Sequence, residues 1–311
     1  MRGVSLTHDG EGRIRLLWRI LLFLGTTLAV MTVAGLVLPL EGITGASAAT
    51  LLGALVAGWI LLGMEGRGPG ALGFHLAPSV PREALVGFGL GLAVAVVVAA
   101  GLALLGGARW SGEEGTLGGW VAGAVAAAAF LALPAAAEEA LLRGYPLQAL
   151  AERWGGGWAL VATSALFGAL HATNPGASAM AVTNTAAAGL FLGAVVLRTG
   201  SLWWGTGAHL GWNWGLGYLA DLPVSGLEVA DAPWVRGGAE GPAWLGGGAF
   251  GPEGSVVATA AFLAAAGLCW WGPWLRREGA ADERRPLWAG SGRDERTSAP
   301  RAPENDKEHE P

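Results

Sequence analysis

The stretch Gly115–Arg143 reads GTLGGWVAGAVAAAAFLALPAAAEEALLR. It carries no Asp, Glu, Lys or Arg from Gly115 to Ala137, then ends in two adjacent glutamates and an arginine. Roughly 20 apolar residues cross the hydrocarbon core of a bilayer as a helix. This stretch is therefore one membrane span with acids at its end. Its apolar character runs all round, whereas a soluble surface helix keeps a polar stripe. Six further charge-free stretches flank it: Ile20–Leu40, Gly42–Met64, Ala84–Ala108, Trp154–Leu197, Thr199–Ala220 and Gly254–Leu275. Trp154–Leu197 is long enough for two spans, with a turn signal at Asn174-Pro175-Gly176 near its middle. The expectation is an all-α polytopic bundle of about eight transmembrane helices.

The whole chain agrees with this reading. Of its 311 residues, 52% are hydrophobic and 14% charged, against about 25% charged in a typical soluble domain. The 16 tryptophans gather near span ends, at Trp18, Trp110, Trp120, Trp154, Trp158, Trp203, Trp204, Trp270, Trp271 and Trp274, as an aromatic belt does. The 53 glycines suit helices that approach closely through small residues. No basic stripe points to nucleic acid. The single cysteine, Cys269, excludes an internal disulfide and a cysteine-rich metal site. The first apolar stretch lacks a convincing cleavage site and reads as a retained helix.

Arginine sets the orientation. Arg2, Arg13, Arg15 and Arg19 precede the first span, Arg67 and Arg82 separate the second and third, Arg143 and Arg153 follow the fourth, Arg198 follows the sixth, and Arg276, Arg277, Arg284 and Arg285 follow the eighth. Alternation places all of them on one side, so a multi-pass cell-membrane protein with both termini cytoplasmic is expected. The organisation is then a cytoplasmic segment 1–19, a transmembrane domain 20–275 and a cytoplasmic tail 276–311, charged and proline-containing enough to be disordered. The Gly/Pro-rich loop Asp221–Glu253 lies outside. Tyr145–Trp154 mixes polar and apolar residues as an interfacial helix does.

Ionisable residues at membrane depth are costly and are functional candidates by default. Three clusters occur. In Glu138-Glu139-Ala140-Leu141-Leu142-Arg143, Glu139 and Arg143 share a helix face at i, i+4, and Glu138 is rotated about 100° away. Acids at a helix C-terminus oppose its dipole, so this placement needs compensating partners. Phe167 and His171 share a face in the fifth span, and His209 and Asn213 in the seventh. A lone His in an apolar helix is more often a hydrogen-bonded structural residue than a ligand, and His209 and Asn213 each have a plausible role as interhelical glue. Their joint occurrence in one half of the bundle favours a site.

The set E-E-x-x-x-R, F-x-x-x-H and H-x-x-x-N, on separate spans and in this order, resembles the CAAX prenyl protease and bacteriocin-processing (CPBP, or Abi) family of intramembrane proteases. The resemblance covers roughly residues 120–218. It implies an endopeptidase acting on a peptide or membrane-protein substrate within the lipid bilayer. Glu138 would be the general base, His171 would hold the water or help move its proton, and His209 and Asn213 would stabilise the oxyanion or complete the water site. Glu139, Arg143 and Phe167 would be supporting residues. No cofactor is certain. Glu138, His171 and His209 are a ligand set that suits zinc, but the H-E-x-x-H helix is absent, and a metal-free glutamate mechanism is the favoured expectation.

The rival readings are a proton-coupled transporter, which would use the same buried Glu and His as a relay, and a non-catalytic membrane scaffold. The orientation has its own test. A reporter active only in the cytoplasm is expected to work when fused after Arg277 and to be silent within Gly237–Gly248. The reverse pattern overturns the topology.

Overall fold

The computed structural model describes residues 7–8, 13–275 and 286–287. Apart from Pro286 and Leu287, the tail expected to be disordered lies outside the described residues. Each apolar run forms a helix: α1 Leu16–Val37, α2 Gly42–Met64, α3 Val80–Leu105, α4 Leu117–Glu139, α5 Tyr145–Trp154, α6 Gly156–Leu170, α7 Ala179–Thr199, α8 Leu202–Trp214, the short α9 Ala243–Gly246, and α10 Val256–Trp271. Hydroxyls mark several starts, each accepting an orphan backbone N–H: Thr116 from Gly119, Ser178 from Ala181, Ser201 from Trp203 and Ser255 from Ala258. The fold is an all-α polytopic bundle. Among the described residues five helices are long and apolar enough to cross a membrane: α1, α2, α3, the continuous stretch Leu117–Trp154 and α7. Large apolar side chains such as Leu28, Leu36 and Leu104 project outward, where lipid receives them.

The stretch expected to be an interfacial helix forms a helix of its own, α5, after an irregular turn. The chain widens into a π-helical segment at Ala140–Gly144 and then turns at Gly144, whose ψ is −119°. Pro146 explains the break. It has no N–H to donate, and its ring clashes with the carbonyl four residues back. The redirected α5 does not lie open on a surface, since Tyr145, Leu147, Gln148 and Ala149 are buried. It is fixed from the first helix hairpin. Arg19 donates to Tyr145 Oη (2.8 Å) and to Glu152 (2.7 Å), and Tyr145 Oη donates to Glu65 (2.6 Å). Burial pushes the Glu65 carboxyl above its usual range, with Tyr145 and Arg19 opposing that rise.

The tightest crossing is between α3 and α8. A Cβ built on Gly91 would stand 1.8 Å from the Ala208 carbonyl oxygen, and one on Gly211 would stand 2.0 Å from the Phe88 carbonyl oxygen. Gly87 and Gly207 meet the opposite backbones in the same way. Two small-xxx-small pairs thus interlock, and backbone rests on backbone.

The loop Asp221–Glu253 is folded rather than open. It supplies β2 (Val235–Ala239), which pairs antiparallel with β1 (Ala108–Gly112), Trp110 opposite Gly237. Asp221 accepts from the backbone of Ala232 and Gly237, and Trp110 donates to the Ala220 carbonyl. These two short strands are a small addition to the all-α bundle. They cap the end of the bundle where α3 and α8 finish and α4 and α10 begin.

Replacing Gly211 by Leu is expected to cost about 3 kcal/mol or more, because only backbone separation relieves the clash. In detergent this reads as a melting temperature lower by at least about 5 °C. Gly25→Ala, with no atom within 4 Å of the new Cβ, is expected to melt no lower than the parent.

Candidate active site

Glu138 and Glu139 are the last two residues of α4, and the helix end turns Glu139 into the protein and Glu138 to the edge of a cavity. Glu139 is completely buried. Its Oε1 accepts from Arg143 Nη1 and from His209 Nδ1, each at 3.2 Å. Arg143 is equally buried, and its guanidinium lies over the Phe167 ring at 4.2 Å from the centroid, a cation–π contact. The wider turn that holds Arg143 therefore serves two partners with one cation. Gly205 on α8 makes room for the acid, as a Cβ there would stand 3.1 Å from Glu139 Oε2.

His209 is thus tied to the buried acid. A carboxylate only accepts, so Nδ1 carries the proton, and Nε2 faces Glu138 Oε2 at 3.8 Å. This refines the sequence reading, in which His209 had no partner on the first motif. His171 caps the end of α6 and is fixed by a second carbonyl rule. Nδ1 donates to the Phe167 carbonyl at 2.8 Å, which leaves the Nε2 lone pair of the neutral ring free. Phe167 packs edge-on against both imidazoles, with centroids 4.7 Å from His171 and 5.8 Å from His209.

Glu138, His171, His209 and Asn213 all line one cavity of about 120 Å³, room for several waters. Asn213 stands one turn beyond His209. The structure brings Glu138, at the end of α4, and His171, at the end of α6, to this same cavity.

Four further polar residues line the cavity and carried no motif: Asn174, Thr185, Ser225 and Glu253. Glu253 had a signal in the sequence. It immediately precedes a charge-free run, much as Glu138 follows one. Its place in a Gly/Pro-rich loop hid it. As for a metal, among the described residues no three His, Cys, Asp or Glu side chains stand together in a way that could hold an ion. His209 gives Nδ1 to Glu139 and keeps Nε2 towards Glu138.

No curated protein and no solved structure matches the chain. The family model described as Rce1-like, type II CAAX prenyl endopeptidase Rce1-like, matches residues 119–215, the segment that bears all three motifs. Over these residues the chain matches the CPBP family of intramembrane CAAX-protease-like endopeptidases.

Proposed function

We propose that this membrane-embedded endopeptidase hydrolyses peptide bonds with a water activated by Glu138, without a metal. The observation that carries the reading is the meeting of Glu138, His171, His209 and Asn213, from three helices, around one small cavity. Glu138 is in reach of that cavity and, unlike Glu139, is not bonded to Arg143. As general base it takes a proton from the water as oxygen attacks the scissile carbonyl. The Nε2 lone pair of His171 accepts a hydrogen bond from the same water and aligns it. Asn213 offers an amide N–H to the developing oxyanion. His209, held by Glu139, adds a second donor there when Nε2 carries a proton. The proton held by Glu138 then passes to the leaving amine. The proposed substrate is a peptide or membrane protein reaching the site from the bilayer. The proposed orientation keeps both termini cytoplasmic.

An internally quenched peptide ending in a farnesylated Cys-aliphatic-aliphatic-X sequence tests the substrate class. Glu138→Ala and His171→Ala are each expected to lower kcat at least about 100-fold with unchanged melting, since a water-activating unit fails when one member is missing. Activity that survives both substitutions sinks the mechanism. A strong chelator is expected to leave the rate within about twofold, and loss restored by added zinc would replace the metal-free route. The two glutamates should also separate in stability. Glu139→Gln leaves Arg143 buried without its counter-charge, at roughly 3–5 kcal/mol, whereas Glu138→Gln at a partly exposed site costs under about 1 kcal/mol. Equal melting of the two variants refutes this division.

A further inference from the structure

Glu253 lies outside the family-matched segment, yet its carboxylate reaches the cavity and is buried there. Its place is fixed from behind. Asn184 on α7, itself buried, donates to the carbonyls of Glu253 and Ser255, and Asn184 Oδ1 accepts from Thr259 on α10. From this anchored position the carboxylate takes three donors. Trp212 Nε1 donates to Oε1 at 2.9 Å, and the backbone N–H and hydroxyl of Ser225 both donate to Oε2.

Each partner leads to a residue of the candidate mechanism. Trp212 is the neighbour of Asn213 on α8, and its ring is braced by Phe262 on α10 at 4.5 Å. Ser225 passes its carbonyl to Asn174 Nδ2 at 3.0 Å, and the Asn174 backbone N–H donates to the carbonyl of His171. Ser225 is held at a φ of 50°, a left-handed conformation that a serine keeps only when its surroundings over-determine it. The two hydrogen bonds to Glu253 are that determination. The next residue, Gly226, lies so close to Pro175 that a Cβ would stand 2.0 Å from its carbonyl oxygen. The loop is thereby pressed against the turn that follows His171.

We infer that Glu253 is a positioning residue of the hydrolytic site: one anchored carboxylate that spans from the α6 end to α8 and sets the separation of His171 and Asn213. A purely apolar plug would fill the same volume but would hold neither Trp212 nor Ser225. A carboxylate is suited to the task because it accepts from three neutral donors at once and donates to none. Gln at the same place keeps the shape, but its amide nitrogen meets donors on whichever side it points, so at least one contact is lost. The inference rests on the proposed reaction, and its test is separable from it.

The test uses the full-length protein in nanodiscs, with the quenched farnesyl peptide as probe. Spin labels at Thr173→Cys and Leu219→Cys, both exposed positions, report the separation of the two helix ends; the native Cys269 is buried. Glu253→Gln is expected to lower kcat at least about tenfold with KM within about twofold, as small misplacements of reacting groups do, and to broaden the inter-label distance distribution. Trp212→Phe and Ser225→Ala each remove one contact, should shift both readouts in the same direction by less, and carry the test if Glu253→Gln does not fold. Lower melting with parental kcat and an unchanged distance distribution overturns the inference, leaving Glu253 a packing residue. A parent with no Glu138-dependent cleavage refutes the proposed reaction instead, while the label distances still report on the clamp.

Discussion

A carboxylate enclosed in a membrane bundle must be neutralised and hydrogen-bonded, or the bundle does not close around it. Glu139 meets this constraint by sharing one oxygen between Arg143 and His209. That sharing couples α4 and the turn that follows it to α8, 70 residues further on. It fixes the π-helical turn to α4, draws α8 against that turn, and orients the His209 ring. Arg143, fully buried with a single carboxylate partner, leans on the Phe167 ring for the rest, and Phe167 in turn touches both imidazoles. The acid and the cation are a pair in the interior, and the aromatic ring carries their geometry into the cavity.

A second constraint makes the first attainable. Helices of ordinary side-chain size stand 8–10 Å apart, too far for short polar groups to meet reliably. The interlocked glycines of α3 and α8 bring the backbones into contact, and Gly205 yields space to Glu139 on another face of α8. One helix is therefore packed by its small residues and reactive by its polar ones. Both properties repeat at intervals of four along the same thirteen residues.

Much of this was legible in the sequence because it depends on local chemistry. Charge-free runs gave the helices, Asn174-Pro175-Gly176 gave the turn between α6 and α7, and i, i+4 spacing gave the Glu139–Arg143 pair. What stayed hidden depends on where the chain goes after a break. Pro146 announces an interruption, but its position alone does not say that the turn before it widens or that α5 passes beneath α1 and α2. The bond between His209 and Glu139 spans 70 residues and follows from no spacing rule. Glu253 was obscured for the same reason. Its partners Trp212 and Ser225 are 41 and 28 residues away, and a glycine-rich loop read by composition looks exposed. The β1–β2 pair escaped notice because its five-residue strands contain little β-branched character to mark them.

The helix that ends at His171 is short. At about 1.5 Å per residue, the fifteen residues of α6 extend roughly 22 Å, against a hydrocarbon core of about 30 Å. Trp158, Val161, Leu166 and Leu170 on this helix are exposed, and a short lipid-facing helix is met by a thinner bilayer. A bilayer indented there is thin beside the cavity that needs water. Acyl-chain length becomes a variable of the reaction: thick bilayers oppose the indentation and lengthen the path of water to Glu138, and thin ones shorten it. Turnover in vesicles of graded chain length would follow lipid thickness, and the protein itself would settle in the thinner regions of its membrane.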